Sequence, residues 1–356
     1  MIRLGAVGDV VRTLPAVSAL RAHYSDAHLT WMVERKAASV VETQPWVDEV
    51  MLFPREALSD LVRRGRWLAA AGEAGRWIAA LRRGGFDLVL DFHGILKSGL
   101  LARLSGAPLR VGYAAPVARE GSWLFTNRRV RLGDTRLSRF ERNEALVRFL
   151  AVTESAAQAP LCVPEAARER VRASLGAGPA PVVLHPGTSD STPYKRWDPE
   201  QYGALAKLLA GADGVSCIVS FGPGERELAR SVVDAAGGAA RLAPETPSLP
   251  DLAALFAWCR LFVGSDSGPL HVASLVGTPV VQILGPTDPV VNAPYPGTPS
   301  RAVRVPVPCS PCRRGCAEAT CMRGVPTRDV VSAARELLVG GPVRSAGTAG
   351  TAAIAV

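Results

Sequence analysis

Aromatic residues and long apolar runs are scarce in this sequence, and each shortage argues against a class of protein. Aromatic residues are 6% of the chain, too few for a surface that stacks the bases of single-stranded nucleic acid. No apolar run reaches the roughly 18 to 20 residues that cross a bilayer, and the N-terminus lacks the charged-then-apolar pattern of a signal peptide. We therefore expect a cytoplasmic protein.

The chain is long and apolar enough for two packed cores, with 356 residues of which 48% are hydrophobic. Apolar strands alternate with helical stretches in both halves, which indicates parallel sheets with helices on both faces. The segment from Thr153 to Pro181 interrupts this alternation with Ala, Pro and Gly. We predict a Rossmann-like N-terminal domain (1–155), a linker (156–180), a Rossmann-like C-terminal domain (181–340) and a disordered tail (341–356).

The net charge of +9 is distributed unevenly along the chain. Residues 51–150 contain 18 Lys and Arg against 9 Asp and Glu, whereas residues 151–300 contain 10 against 14. A basic first half suits an anionic partner such as a nucleic acid, a phosphorylated glycolipid or the inner surface of a membrane. The alternative is a solvated, arginine-rich surface without a specific partner.

The seven cysteines form a scattered group and a cluster. The scattered ones lie in or beside apolar segments and are expected to be small buried hydrophobes: Cys162, Cys217 and Cys259. The others lie within 13 residues and are expected to brace the end of the second domain: Cys309, Cys312, Cys316 and Cys321. Such a set suits zinc or iron, although structural zinc usually joins two pairs that are far apart in sequence. Free or redox-active thiols are the other interpretation, since stable disulfides are rare in the cytosol.

Ligands of open parallel sheets bind where loops follow the carboxyl ends of the strands. The first such loop, "GAVGDVVRT", places Asp9 between a strand and a helix, beside Gly5 and Gly8. One interpretation is a helix N-cap, because Asp accepts hydrogen bonds from first-turn amides. The other is a general base at the edge of a crevice, where the glycines let a substrate approach the backbone.

Loops of the second half carry residues that suit an anionic or nucleotide ligand. In "HPGTSDSTPYKRW", Thr188, Ser189 and nearby amides form a nest for an anion. Lys195, one of only four lysines in the chain, adds a compact positive charge. In "FGPGERE", Glu225 has the type of side chain that holds a ribose diol in dinucleotide sites.

The stretch from Leu261 to Pro289 contains two further strand-end loops. The first loop leads into a helix whose first amides can face a phosphate, and it contains Asp266, Ser267, Gly268 and His271. The second loop, "GPT" at residues 285–287, strengthens the phosphate interpretation. The alternative is an ordinary Asp cap with His271 packed in the core.

These motifs, in this order, resemble glycosyltransferase family 9, the lipopolysaccharide heptosyltransferases. The resemblance rests on "RLGAVGDVVRTLPAVSALR", "DLVLDFHGILKSGLLARLSGAPLRVGY", "HPGTSDSTPYKRW", "FGPGERE", "VGSDSGPLHVASLVGTPVVQILGPTDP" and "PCSPCRRGCAEATCM". It implies an α/β GT-B fold with two Rossmann-like domains facing across a cleft. The segments "AREGSWLFTN" and "RFER" are similar to the heptosyltransferase I branch. The family's first strand usually begins several residues before Met1, so we also expect an earlier natural start.

The resemblance implies an inverting, metal-independent enzyme that moves a heptose from ADP-heptose to a Kdo or heptose residue of the lipopolysaccharide inner core. It implies no cofactor, an anionic acceptor of the Kdo-lipid A type, peripheral contact with the cytoplasmic face of the inner membrane, and no nucleic acid. Asp9 matches the aspartate that deprotonates the acceptor. The matched donor contacts are Thr188, Ser189 and Lys195 for the diphosphate, Glu225 for the ribose, and Asp266, Ser267, Gly268 and His271 for the sugar and phosphates.

The residues support that chemistry independently. Departure of a nucleoside diphosphate builds negative charge on the leaving oxygen, and Lys195 with helix-end amides can stabilise this charge without a metal. The sequence has no Asp-x-Asp motif. Deprotonation of the acceptor by Asp9 leads to direct displacement, which inverts the anomeric centre. Two other classes stay open: a GT-B enzyme with another nucleotide sugar, such as an epimerase, and a non-catalytic nucleotide- or nucleic-acid-binding module.

Overall fold

Two units make up the chain in the computed structural model, which describes residues 1–153, 161–176, 178–312 and 314–340. The first unit is Met1–Cys162 and the second is Val163–Val356. The predicted tail (341–356) lies outside the described residues, as do residues 156–160 and 177 of the predicted linker. The rest of the linker range contains a helix, Glu165–Leu175, that belongs to the second unit.

The first unit alternates strands with helices. Its strands are β1 (Thr30–Glu34), β2 (Glu49–Phe53), β3 (Leu88–Asp91), β4 (Leu109–Tyr113) and β5 (Arg128–Val130). Its helices are α1 (Val7–Val11), α2 (Leu14–His23), α3 (Arg35–Glu42), α4 (Arg55–Arg63), α5 (Trp67–Arg83), α6 (Leu96–Leu104) and α7 (Arg139–Arg148). β1 pairs in parallel with β2, β3 with β4, and β4 with β5.

The N-terminal segment lies between the two halves of this sheet. Ile2 forms parallel bridges to Met32 in β1 and to Asp91 in β3. The apolar stretch "IRLGAV" (residues 2–7) pairs with the sheet through Ile2 and is followed at once by α1, which begins at Val7. From this segment the chain builds β1 and β2 on one side and β3 to β5 on the other, so the strand order reverses here.

The second unit has the same alternation. Its strands are β6 (Val182–His185), β7 (Cys217–Val219), β8 (Ala240–Leu242), β9 (Leu261–Ser265), β10 (Val280–Leu284) and β11 (Ser300–Arg304). Its helices are α8 (Glu165–Leu175), α9 (Pro199–Asp213), α10 (Arg226–Ala236), α11 (Leu249–Trp258), α12 (Gly268–Leu275), α13 (Thr320–Arg323) and α14 (Thr327–Gly340).

The strands of the second unit form a parallel sheet in the order β11-β10-β9-β6-β7-β8. β6, β9 and β10 are buried along their whole length, as expected for parallel strands covered on both faces. The chain places β7 and β8 on one side of β6 and β9 to β11 on the other. The strand order therefore reverses between β6 and β9.

These sheets agree with the predicted α/β architecture. The apolar stretch "EVMLF" forms β2, and the stretch "LPDLAALFAW" forms α11. The short strands β8 and β11 were not predicted, because neither is a buried apolar run. Among the residues that the structure describes, we find no helix with both the length and the apolar character needed to cross a bilayer.

Helices α9 and α10 approach each other closely because α9 has a glycine at the contact. A Cβ added at Gly203 would lie 2.6 Å from the carbonyl carbon of Ala235 in α10, closer than real Cβ atoms come. Gly211 belongs to the same helix, and a Cβ added there would meet no heavy atom within 4 Å. Substitutions at Gly203 and Gly211 therefore distinguish an effect on helix packing from an effect on helix propensity.

We expect Gly203→Ala to lower the melting temperature, because the backbone of α10 must move and such overpacking costs about 1–3 kcal/mol. Gly211→Ala is the matched control and should preserve or raise stability, since Ala favours a helix over Gly by about 1 kcal/mol. Calorimetric unfolding of both variants and the wild type checks this. A Gly203→Ala protein as stable as the wild type would contradict the close approach of the helices.

Candidate active site

Asp9 lies in the first turn of α1 and is surrounded by arginines. The N-cap of α1 is Ala6, so the interpretation of Asp9 as the N-cap is wrong. The Asp9 carboxylate instead pairs with three guanidinium groups, which we call the arginine cage: Arg3 Nη2 at 2.5 Å, Arg139 Nη1 at 3.2 Å and Arg12 Nη2 at 3.9 Å. The sequence pattern identifies Asp9 but gives no indication of the arginine cage.

Elements that are distant in sequence assemble the arginine cage. Arg3 belongs to the N-terminal segment and donates from Nη1 to Phe92 O, just after β3, at 2.8 Å. Arg12 follows α1 and donates from Nε to Gly8 O at 3.2 Å. Arg139 is the first residue of α7. The exposed fraction of the side chain is 9% for Arg3, 10% for Arg12 and 39% for Arg139.

Burial and the cage act in opposite directions on the Asp9 carboxyl. Burial would raise its pKa, but Arg3, Arg12 and Arg139 outweigh burial and hold the pKa well below its usual range. His93, which follows β3, has its pKa lowered to about 4, chiefly by burial and then by Arg3. At neutral pH Asp9 is therefore ionised and His93 is uncharged. The three guanidinium groups and one carboxylate leave a local excess of positive charge.

A second acidic side chain borders the loop that carries Asp9. Glu34, at the end of β1, accepts hydrogen bonds from Lys97 Nζ and Arg55 Nη1, each at 3.0 Å. Burial raises the pKa of Glu34, but the two cations outweigh it and the pKa is lowered. A Cβ at Gly5 would lie 3.6 Å from Glu34 Oε2. The cluster of Glu34, Arg55 and Lys97 is not visible in the sequence, because its members come from separate elements.

In the second unit the structure brings Lys195, Asp266 and His271 together. Lys195 closes a short 3₁₀ helix, Pro193–Lys195, in the loop after β6. Its Nζ lies 3.0 Å from Asp266 Oδ2, and His271 Nε2 lies 3.6 Å from Asp266 Oδ1. Asp266 is 5% exposed and Lys195 19%, so this ion pair is largely shielded from water.

The N-terminus of α12 faces the same region with unused hydrogen-bonding groups. Ser267 is the N-cap of α12 and Gly268 is its first residue, but Ser267 makes no side-chain cap hydrogen bond. In the described parts of the chain, Ser267 Oγ and Thr287 Oγ1 are buried without a hydrogen-bond partner. Buried hydroxyls without partners point to a ligand, and a helix N-terminus favours an anionic one. The sequence places Thr287 in the "GPT" loop but does not show that its hydroxyl is buried.

Thr188 and Ser189 follow β6 but differ in what their hydroxyls do. Thr188 is 3% exposed, donates from Oγ1 to Thr192 O at 3.0 Å, and accepts from Arg196 Nε at 3.2 Å. Ser189 Oγ lies 3.0 Å from Ser191 Oγ on the exposed side of the loop. The structure therefore uses the Thr188 hydroxyl to shape the loop and leaves the Ser189 hydroxyl accessible.

Glu225 lies at the end of the loop after β7, against the loop after β6. Its Oε2 accepts from Gly222 N at 2.8 Å, and a Cβ at Gly187 would clash with its carboxylate. Burial is the main cause that raises the pKa of Glu225. His185 Nε2 lies 3.8 Å from Glu225 Oε2. Burial also lowers the pKa of His185 to about 4, so His185 is uncharged at neutral pH.

The cysteines divide differently from the prediction. Cys217 and Cys259 are buried, but Cys162 is exposed, so the prediction that it is a buried hydrophobe is wrong. It follows Leu161 at the end of the first unit, where its amide donates to Gln44 Oε1 at 2.9 Å. A short apolar context of two or three residues was insufficient evidence of burial.

The Cys-rich segment packs on the loop after β10. Ser310 Oγ donates to Gly285 O at 2.8 Å, and Cys312 N donates to Pro286 O at 2.6 Å. Cys321 is buried in α13, and burial is the main cause that raises its pKa. The described residues contain no group of three or more His, Cys, Asp or Glu side chains that could hold a metal ion.

Comparison with known proteins gives consistent matches. The sequence pattern of glycosyltransferase family 9 (heptosyltransferase) matches residues 75–322. The lipopolysaccharide core heptosyltransferase OpsX of Haemophilus influenzae is 25% identical over 301 residues, 83% of this chain and 81% of that protein. Lipopolysaccharide heptosyltransferase 1 of Pseudomonas aeruginosa is 28% identical over 320 residues, 88% of this chain and 85% of that protein.

A solved structure has the same fold. The structure of E. coli heptosyltransferase WaaC with ADP-2-deoxy-2-fluoro heptose superimposes with a TM-score of 0.72 at 22% identity, and covers 94% of this chain and 98% of that chain. The predicted GT-B architecture of Rossmann-like domains is confirmed by this likeness.

Proposed function

The chain belongs to glycosyltransferase family 9 and is a glycosyltransferase, and from this premise we propose that it transfers a heptose from ADP-heptose to a Kdo or heptose residue of the lipopolysaccharide inner core. The transfer inverts the anomeric centre and needs no metal ion. Two relatives with the name heptosyltransferase, and a structural neighbour that holds an ADP-heptose analogue, support this donor and acceptor class.

The observation that carries the proposal is the position of Lys195. Its ammonium lies 3.0 Å from Asp266 Oδ2, beside the N-terminus of α12. We assign the diphosphate of the donor to this region, where it would meet Lys195, the first amides of α12, and the buried hydroxyls of Ser267 and Thr287. A preorganised cation and helix-end amides stabilise the charge of a leaving diphosphate in a shielded site.

The other donor contacts follow from the same loops. We assign Thr188 and Ser189 to the diphosphate, with Ser189 supplying the accessible hydroxyl, and Glu225 to the ribose diol, whose hydroxyls can donate to its carboxylate. Asp266 and His271 remain for the heptose. The second unit is therefore the donor-binding domain of the proposal.

The proposed reaction is a single displacement. The acceptor oxygen forms a bond to the anomeric carbon of the heptose while the bond from that carbon to the diphosphate oxygen breaks. The electron pair leaves with the diphosphate near Lys195, and the acceptor proton passes to the ionised carboxylate of Asp9. The first unit is the acceptor-binding domain. One displacement inverts the configuration at the anomeric carbon.

If the acceptor is anchored in the membrane, the enzyme acts at the cytoplasmic face of the inner membrane. The residues at the start of α5 support this part of the proposal. Trp67 is 65% exposed and Leu68 is 92% exposed. Arg66 precedes them, and the preceding helix, α4, ends at Arg63 with Arg64 directly after it. Aromatic and aliphatic side chains beside arginines suit an anionic membrane interface.

The decisive experiment is turnover with ADP-heptose and Kdo-lipid A, followed by mass spectrometry, with and without EDTA. We expect a product one heptose heavier in both conditions, because Lys195 and the first amides of α12 stabilise the leaving diphosphate without a metal ion. Activity lost in EDTA and restored by a divalent ion would reject metal independence. Thermal shift with ADP, UDP and GDP identifies another nucleotide sugar, and stabilisation by nucleic acid alone would favour a binding module.

We predict that Lys195→Ala weakens both ADP binding and turnover, and that Lys195→Arg restores only part of each, since a planar fork does not reproduce a compact charge. A charged hydrogen bond contributes about 1.5–3 kcal/mol, which corresponds to roughly 10- to 150-fold in affinity. Calorimetric titration with ADP measures this. Lys207→Ala, an exposed lysine of α9, is the matched control. Wild-type ADP affinity in Lys195→Ala would remove Lys195 from the diphosphate site.

We predict that Asp9→Asn reduces kcat by about 10²- to 10⁴-fold, the usual contribution of a general base, and leaves ADP affinity unchanged. The variant also leaves Arg3 and Arg12 without their carboxylate, so its melting temperature should fall. Turnover is therefore measured per folded protein, below the melting temperature. A less stable variant with wild-type kcat would make Asp9 a purely structural residue.

A further inference from the structure

The arginine cage conflicts with the role of Asp9 as a base. Cations that pair with a carboxylate lower its affinity for a proton, and a general base works best when its pKa is near the working pH. Arg3, Arg12 and Arg139 all act on Asp9 in this direction, and His93 is uncharged at neutral pH. The cage as it stands in the free protein therefore weakens Asp9 as a proton acceptor.

Arg139 differs from the other two members of the cage. Arg3 and Arg12 are about nine-tenths buried and each donates to a backbone carbonyl. Arg139 is 39% exposed and meets Asp9 Oδ1 at 3.2 Å. Its Nε, like that of Arg3, is buried and has no hydrogen-bond partner among the residues that the structure describes. Arg139 is thus the member that can leave Asp9 with the smallest rearrangement, and it keeps a spare donor.

The position of Arg139 also calls for an anion. It is the first residue of α7, a helix of 10 residues, and the positive end of the helix dipole disfavours a cation there. Asp9 offers one negative charge to three guanidinium groups. A second anion would offset both the helix end and the excess charge of the cage.

We propose that Arg139 is an exchangeable anion-binding residue, which pairs with Asp9 in the free enzyme and turns to a carboxylate of the acceptor sugar in the complex. The inference rests on the proposed function, which gives the acceptor a Kdo-type sugar acid. Arg3 and Arg12 stay on Asp9 and keep it oriented. Arg139 leaves Asp9 only when the acceptor is bound. The loss of this cation then increases the proton affinity of the Asp9 carboxylate.

This exchange makes the acceptor carboxylate contribute to turnover as well as to binding. An acceptor with a carboxamide in its place offers Arg139 no anion, so Arg139 stays on Asp9. Such an acceptor should bind more weakly and should also react more slowly at saturation. A residue that only binds the acceptor would change KM without changing kcat.

The test compares a Kdo glycoside with its carboxamide as acceptors at saturating ADP-heptose over a range of pH. With wild-type enzyme we expect the carboxylate to give the higher kcat, by up to about tenfold for one unit in the pKa of Asp9. Arg139→Gln should bring the two kcat values together, raise KM for the carboxylate, and move the acidic limb of kcat/KM to higher pH. Arg139→Lys should restore part of the difference.

Arg148→Gln is the matched control, because Arg148 lies at the other end of α7 and pairs with Glu144 at 3.0 Å. It should keep the wild-type ratio of kcat values. If Arg139→Gln also keeps that ratio and an unshifted pH profile, the exchange is wrong and heptosyl transfer still stands.

Failure of the proposed function has a different signature, namely no heptose transfer by the wild type to either acceptor. The anion-binding role of Arg139 is then decided by thermal shift with the Kdo glycoside alone. Stabilisation of the wild type by the acid but not the amide, lost in Arg139→Gln, supports it. Equal stabilisation of both proteins, or stabilisation of neither, rejects it.

Discussion

All strands of a parallel sheet end at the same edge in one direction, and the residue cluster in each of the two units follows from this constraint. Where the strand order reverses, the loops after two neighbouring strands separate and leave room for a ligand. In the second unit the reversal lies between β6 and β9, and the ion pair between Lys195 and Asp266 joins the loops that follow these strands. In the first unit the reversal lies between the N-terminal segment and β3. Asp9 follows the N-terminal segment, and Phe92, whose carbonyl accepts from Arg3, follows β3.

The two sites use charge in different ways at equivalent places in their sheets. Lys195 and Asp266 neutralise each other, and the buried hydroxyls of Ser267 and Thr287 have no hydrogen-bond partner among the described residues. The arginine cage exceeds the charge of Asp9 and attracts an anion from a distance. A buried carboxylate could not remain ionised without such cations. The same arginines that allow Asp9 to be partly buried and charged also limit its strength as a base.

Local patterns in the sequence predicted the strand-helix alternation and the loops that carry Asp9, Lys195 and Asp266, since strand ends and glycine-rich turns are local features. The cage was not predictable in the same way. Its members come from residues 3, 12 and 139, and an arginine-rich chain gives little indication of which guanidinium is buried. One signal was present: Arg3 interrupts the apolar run at the N-terminus, and a charge in a buried strand needs a partner. The prediction that Cys162 is buried was wrong for another reason. The two or three apolar residues beside Cys162 carry no information on its burial.

Close packing connects the Cys-rich segment to the loops that carry Thr287 and Lys195. A Cβ at Gly285 would lie 2.9 Å from Cys321 Sγ, and a Cβ at Gly315 would clash with the ring of Tyr194. Gly285 begins the loop that carries Thr287, and Tyr194 precedes Lys195 in its 3₁₀ turn. Neither contact has space to absorb a shift of the segment. The packing of the Cys-rich segment therefore helps to fix the positions of the loops that carry Thr287 and Lys195.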